Sequence, residues 1–81
     1  MKHPMTAQEQ DEMRNLGTRL KELRLKRGYT SMEKFALDHE LPRVLLSNWE
    51  SGKGNITYRN LIKVTKALEI SLKEFFEPFN K

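Results

Sequence analysis

The stretch TSMEKFALDHELPRVLLSNWESG, Thr30–Gly52, decides the fold. It carries two short helical patterns separated only by His39-Glu40-Leu41. Thr30-Ser31-Met32-Glu33 reads as a T-x-x-E capping box, opening a helix that runs to Asp38 or His39. At about 100° per residue, Met32, Phe35, Ala36 and His39 share one face of it. The next helix begins near Pro42, whose missing N–H would go unpaired at a first helical position in any case, and ends at Gly52. Around that helix Arg43, Val44, Ser47, Asn48 and Ser51 fall within an arc of about 140°. Leu45, Leu46 and Trp49 fall opposite, with Glu50 at the margin. Two helices joined by so short a corner have the dimensions of a helix-turn-helix unit.

Outward from this unit the periodicity stays helical, and glycine and proline mark the stops. A first helix runs to about Arg27 with Met13, Leu16, Leu20 and Leu23 in one stripe and Gly28 as its end. Thr6-Ala7-Gln8-Glu9 reads as a capping box, yet Gly17 and the polar residues 7–12 weaken a long helix. Firm helix is therefore expected from about Asp11. A fourth helix starts near Thr57 with Leu61, Ile62, Val64, Thr65 and Leu68. Ser71-Leu72-Lys73-Glu74 caps a short fifth helix with Leu72, Phe75 and Phe76. Five helices with connections of about 3–6 residues predict one compact all-α domain over residues 13–77. Residues 1–12 are expected to form a flexible or partly helical extension, and 78–81 a tail.

Composition limits what such a domain can do. The chain has 81 residues, is 37% hydrophobic and 32% charged, and contains no cysteine. Disulfide scaffolds, thiolate zinc sites and cysteine nucleophiles are excluded. No apolar run approaches the ~18 residues of a membrane span, and Met1-Lys2-His3-Pro4-Met5 lacks the apolar stretch of a signal peptide. A cytoplasmic protein is expected. Charge is uneven: residues 14–66 hold 12 basic against 5 acidic groups, the two ends 3 against 6. A basic body with mildly acidic ends suits a polyanionic partner. Gly52-Lys53-Gly54 lacks the spacing of a phosphate-binding loop. His39 could find only His3 as a second imidazole for a metal, so it is read as a satisfied, partly buried histidine. No metal, no cofactor and no enzyme activity are expected.

The polar front of the third helix has a use in a DNA major groove. Arg pairs with guanine, Asn with adenine, Ser with several bases, and a methyl such as that of Val44 meets the methyl of thymine. Any surface helix is polar outside, so geometry alone favours a plain solvated face. A resemblance adds to it. Leu20-Lys21-Glu22-Leu23-Arg24 through Gly28, Phe35-Ala36, Leu46-Ser47-Asn48-Trp49-Glu50-Ser51-Gly52-Lys53, Leu61–Leu68 and Ser71–Phe76 follow one another at the spacing of a known family. The chain resembles the Cro/repressor-type (XRE-like) helix-turn-helix regulators, with their lambda-repressor-like five-helix fold.

The resemblance implies a sequence-specific regulator of transcription that binds double-stranded DNA at a pseudo-palindrome. Arg43, Val44, Ser47 and Asn48 stand where the family reads base edges. Ser51, Lys53, Asn55, Tyr58 and Arg59 stand where it grips phosphates, and the helix start Thr30, Ser31 and Met32 offers further N–H groups. Arg24 and Glu50 occupy positions that pair in the family; left exposed, such a pair contributes about 0–1 kcal/mol. Three departures stand out. The usual corner glycine falls at Glu40, Pro42 replaces a capping hydroxyl, and the Thr30-Ser31 entry is one residue longer than usual. A homodimer through helices four and five is implied, with Phe79 a candidate contact. Two other roles share these features: an antitoxin that also binds a toxin protein, marked by a toxin-like neighbouring gene, and a protein-binding adaptor, indifferent to Arg43 and Asn48.

Overall fold

A computed structural model of the chain describes residues 4–79; Met1–His3 of the expected extension and Asn80–Lys81 of the expected tail lie outside the described residues. The expected all-α architecture is observed: α1 (Ala7–Lys26), α2 (Met32–Asp38), α3 (Arg43–Glu50), α4 (Tyr58–Leu68) and α5 (Leu72–Phe75), followed by one 3-10 turn at Glu77–Phe79. Among the described residues there is no strand. Trp49, Phe35, Phe75, Leu20, Leu46 and Val64 are fully buried at the centre, so all five helices contribute to one core.

Helix α1 starts four residues before the expected Asp11. Both halves of the Thr6–Glu9 box form: Glu9 N–H donates to Thr6 Oγ1 at 3.1 Å, and Thr6 N–H donates to Glu9 Oε1 at 2.9 Å. Two satisfied end donors outweigh the weak propensity of the polar turn that follows. In α2 the cap lies one residue later than the T-x-x-E reading. Ser31, not Thr30, accepts from the Lys34 N–H at 3.1 Å. That shift accounts for the apparent extra residue in the entry to the helix.

Four helices end in the same way. In α1 and α3 the residue after the cap is a left-handed glycine, Gly28 (φ 102°) or Gly52 (φ 76°). Their following N–H groups reach back, Tyr29 to the Arg24 carbonyl at 3.1 Å and Lys53 to the Asn48 carbonyl at 2.9 Å. In α2 and α4 the same left-handed place is filled by Glu40 (φ 53°) and Glu69 (φ 60°), with Leu41 N–H on the Ala36 carbonyl at 2.8 Å and Ile70 N–H on the Thr65 carbonyl at 3.1 Å. The corner between α2 and α3 thus keeps its glycine backbone without the glycine. A side chain there carries strain that glycine does not. Glu40→Gly should therefore raise stability, by about 0.5–1 kcal/mol once the looser unfolded chain is counted, as read by the urea midpoint. A midpoint that falls would mean that the Glu40 side chain supports the corner.

Two departures concern single side chains. Leu45, expected on the apolar back of α3, is 42% exposed, because a helix seated mainly through Leu46 and Trp49 covers only a narrow stripe. His39 packs among rings, with centroids 5.1 Å from Phe35 and 5.6 Å from Tyr29. Its buried Nε2 has no hydrogen-bond partner among the described residues, contrary to the satisfied histidine expected. Beside it Tyr29 donates its hydroxyl to Asp38 at 2.9 Å. That bond holds the Asp38 carboxyl below its ordinary value and pushes the Tyr29 hydroxyl up.

Candidate nucleic-acid interface

The outer face of α3 is set by how its inner face is locked. Leu46 and Trp49 are 0% and 1% exposed, which fixes the rotation of a helix only eight residues long. Beneath the C-terminal turn, α1 comes so near that there is room only for Gly17: a Cβ there would lie 2.4 Å from the Trp49 carbonyl oxygen and 2.6 Å from that of Glu50. Gly52 makes a second close approach, where a Cβ would stand 2.9 Å from Arg14 Cα. Neither approach is written in the local sequence. Gly17 reads there as a weak point in a helix.

An ion pair ties the same helix to α1. Arg24 Nε donates to Glu50 Oε2 at 2.8 Å and a second guanidinium nitrogen to Oε1 at 3.2 Å. Its third nitrogen donates to the Tyr29 carbonyl at 2.6 Å. Both side chains are 4% exposed, so this is a desolvated two-pronged bond rather than an exposed pair. Its charges cannot relax into water, and α3 cannot rotate or lift without stranding one of them.

With the back fixed, the front is open. Arg43 and Val44 are exposed, while Ser47 and Asn48 are half-buried on the same side. Val44 is 69% exposed, an unfavourable place for a β-branched apolar residue in water. The Arg43 guanidinium lies 3.5 Å from Glu33 Oε1 across the corner, a loose exposed contact that it can leave at a cost of about 0–1 kcal/mol. Pro42 supplies no side-chain cap to α3, so the N–H groups of its first turn have no capping partner on the side where Arg43 emerges. Ser51, Lys53, Asn55, Tyr58 and Arg59 are all exposed and form one flank between α3 and the start of α4. Ser51 is partly engaged: its hydroxyl donates to the Ser47 and Asn48 carbonyls at 3.0 and 3.1 Å, leaving its oxygen as an acceptor. On the other flank lie Thr30 and Ser31, exposed, and Met32, half-buried.

Among the described residues there is no group of three His, Asp or Glu able to hold a metal, and no helix is long and apolar enough to cross a membrane.

The helix-turn-helix family model matches residues 20–75. The chain belongs to the helix-turn-helix family. This membership puts it among DNA-binding regulators of transcription and outside the enzymes. Helix-turn-helix relatives include control protein C.MunI of Mycoplasma sp, 38% identical over 65 residues that span 80% of this chain and 88% of that one. Control protein C.BamHI of Bacillus amyloliquefaciens is 31% identical over 61 residues, 75% of either chain. Among solved structures, the restriction-modification controller protein C.AhdI from Aeromonas hydrophila superposes with a TM-score of 0.75 at 33% identity, covering 82% of this chain and 98% of that one.

Proposed function

We propose that the protein is a controller-type regulator that binds a pseudo-palindromic operator as a homodimer, with α3 of each copy in the major groove. The observation that carries this reading is the open front of α3, Arg43, Val44, Ser47 and Asn48, on a helix whose back is locked by burial and by a desolvated ion pair. Rigid presentation of those four side chains is what base-edge reading requires. Thr30–Met32 on one side and Ser51, Lys53, Asn55, Tyr58 and Arg59 on the other straddle the groove and meet the phosphates, which fix register. One module of this size makes few base contacts, so two copies joined through α4 and α5 read half-sites about 34–36 Å apart. The control-protein relatives favour this regulator over an antitoxin or an adaptor.

Selection of bound sites from a random duplex library tests the reading. An inverted repeat with half-sites one helical turn apart is the expected product; a single enriched half-site would remove the dimer, and no enrichment would remove operator binding. On the selected site, Arg43→Ala should cost about 1–3 kcal/mol per half-site and relax the preference at one base pair of each. Lys53→Ala should weaken all sequences alike and lower the dimer's salt slope by about 2, one contact from each copy. With roughly four phosphates per copy, the dimer's log–log slope is near −7. A sequence-selective loss for Lys53, or a slope shallower than about −2, would overturn these assignments.

A further inference from the structure

Beyond the α4–α5 contact, on which it rests, we infer that Glu12 of one chain pairs with Lys73 of a second copy, so that the N-terminal half of α1 completes the dimer. Phe76 and Phe79, with ring centroids 5.8 Å apart, form the middle of an apolar face. A hollow on one side of them is lined by Tyr58, Leu72 and Lys73, and one on the other side by Glu12 and Leu16. Tyr58 is 67% and Phe79 40% exposed, so the rings are left facing water. The face therefore has a positive end and a negative end. Glu12 and Lys73 are exposed, and among the described residues neither has an ion-pair partner, whereas Asp11 next to Glu12 pairs with Arg14.

A two-fold axis that runs in the contact plane, across the line joining the two ends of a surface, brings each end onto the opposite end of its mate. An axis through the Phe76–Phe79 pair thus sets Lys73 of one copy against Glu12 of the other, twice. The same operation buries the two aromatic hollows against each other. A patch with like charges at its ends would repel itself; this one is self-complementary in charge as well as in polarity.

The test is sedimentation of the full chain over a range of micromolar concentrations. Wild type should be dimeric. Glu12→Lys and Lys73→Glu each turn two attractions into two repulsions and should weaken association by about tenfold or more, with unchanged helical circular dichroism at about 25 °C because both sites are exposed on the single chain. An equimolar mixture of the two variants should recover dimer to within about threefold of wild type, since in each heterodimer both contacts are attractive again, one in the native order and one reversed. A wild-type chain that stays monomeric would overturn the dimer itself. A wild-type dimer that both variants form equally well, or weakened variants that fail to rescue each other in the mixture, would leave the dimer standing and overturn the Glu12–Lys73 pairing.

Discussion

Arg24→Met should destabilise the domain by about 3–5 kcal/mol, because it leaves the Glu50 carboxylate buried without its counter-charge. The Tyr29 carbonyl loses its donor in the same step. A domain of this size has only about 5 kcal/mol or a little more to lose, so much of the variant should be unfolded near 37 °C. Urea denaturation followed by helical circular dichroism measures the loss. The double variant Arg24→Met, Glu50→Met is the sharper probe: with both charges gone, it should be more stable than either single variant. A loss below about 1 kcal/mol for Arg24→Met would mean that the pair behaves as a solvated surface contact. DNA affinity should fall with stability in the singles and recover in the double, since the pair touches the back of α3 and not its front.

Gly17→Ala gives a prediction whose sign separates two physical effects. Helix propensity alone favours alanine over glycine by about 1 kcal/mol in a helix interior. The new Cβ, however, would lie 2.4 Å and 2.6 Å from the Trp49 and Glu50 carbonyl oxygens. These are backbone atoms that cannot swing away, so α1 and α3 must separate. Overpacking of this kind costs about 1–3 kcal/mol or more, and it wins. The expected result is a net loss of at least about 1 kcal/mol in urea unfolding, with weaker operator binding because α3 is displaced. A gain in stability would show that the two helices do not cross so closely.

The difference between Gly17 and Glu40 explains what the sequence makes legible. Glu40 could be singled out because its place in a helix corner has a backbone requirement, positive φ, that can be named without knowing what lies nearby. The need for glycine at residue 17 arises from a carbonyl pair more than thirty positions away, and local propensity gives it the opposite sign. Helix ends were legible wherever a cap satisfies its own neighbours, as at Ser71 and Thr57, which accept from Glu74 and Asn60. They were missed by a residue where two hydroxyls stand side by side, as at Thr30 and Ser31. The front of α3 follows from a helical wheel. That Leu45 lies 42% exposed does not, because a wheel assigns faces while packing decides how wide a stripe is covered. Phe35 beside His39 follows from the same kind of wheel, whereas Tyr29 against it does not, because Tyr29 comes from another segment.

The chain's one tryptophan lies in α3 at 1% exposure, and among the described residues its buried indole N–H has no acceptor. Indole emission shifts to longer wavelength when water reaches the ring. The protein therefore carries an intrinsic optical gauge on the helix proposed to read DNA. Its colour reports whether that helix is seated, independently of whether any DNA is present. In both destabilised variants a red shift that precedes the loss of helical dichroism would reveal α3 leaving the body as a unit. Coincident changes would instead mark a domain that opens all at once.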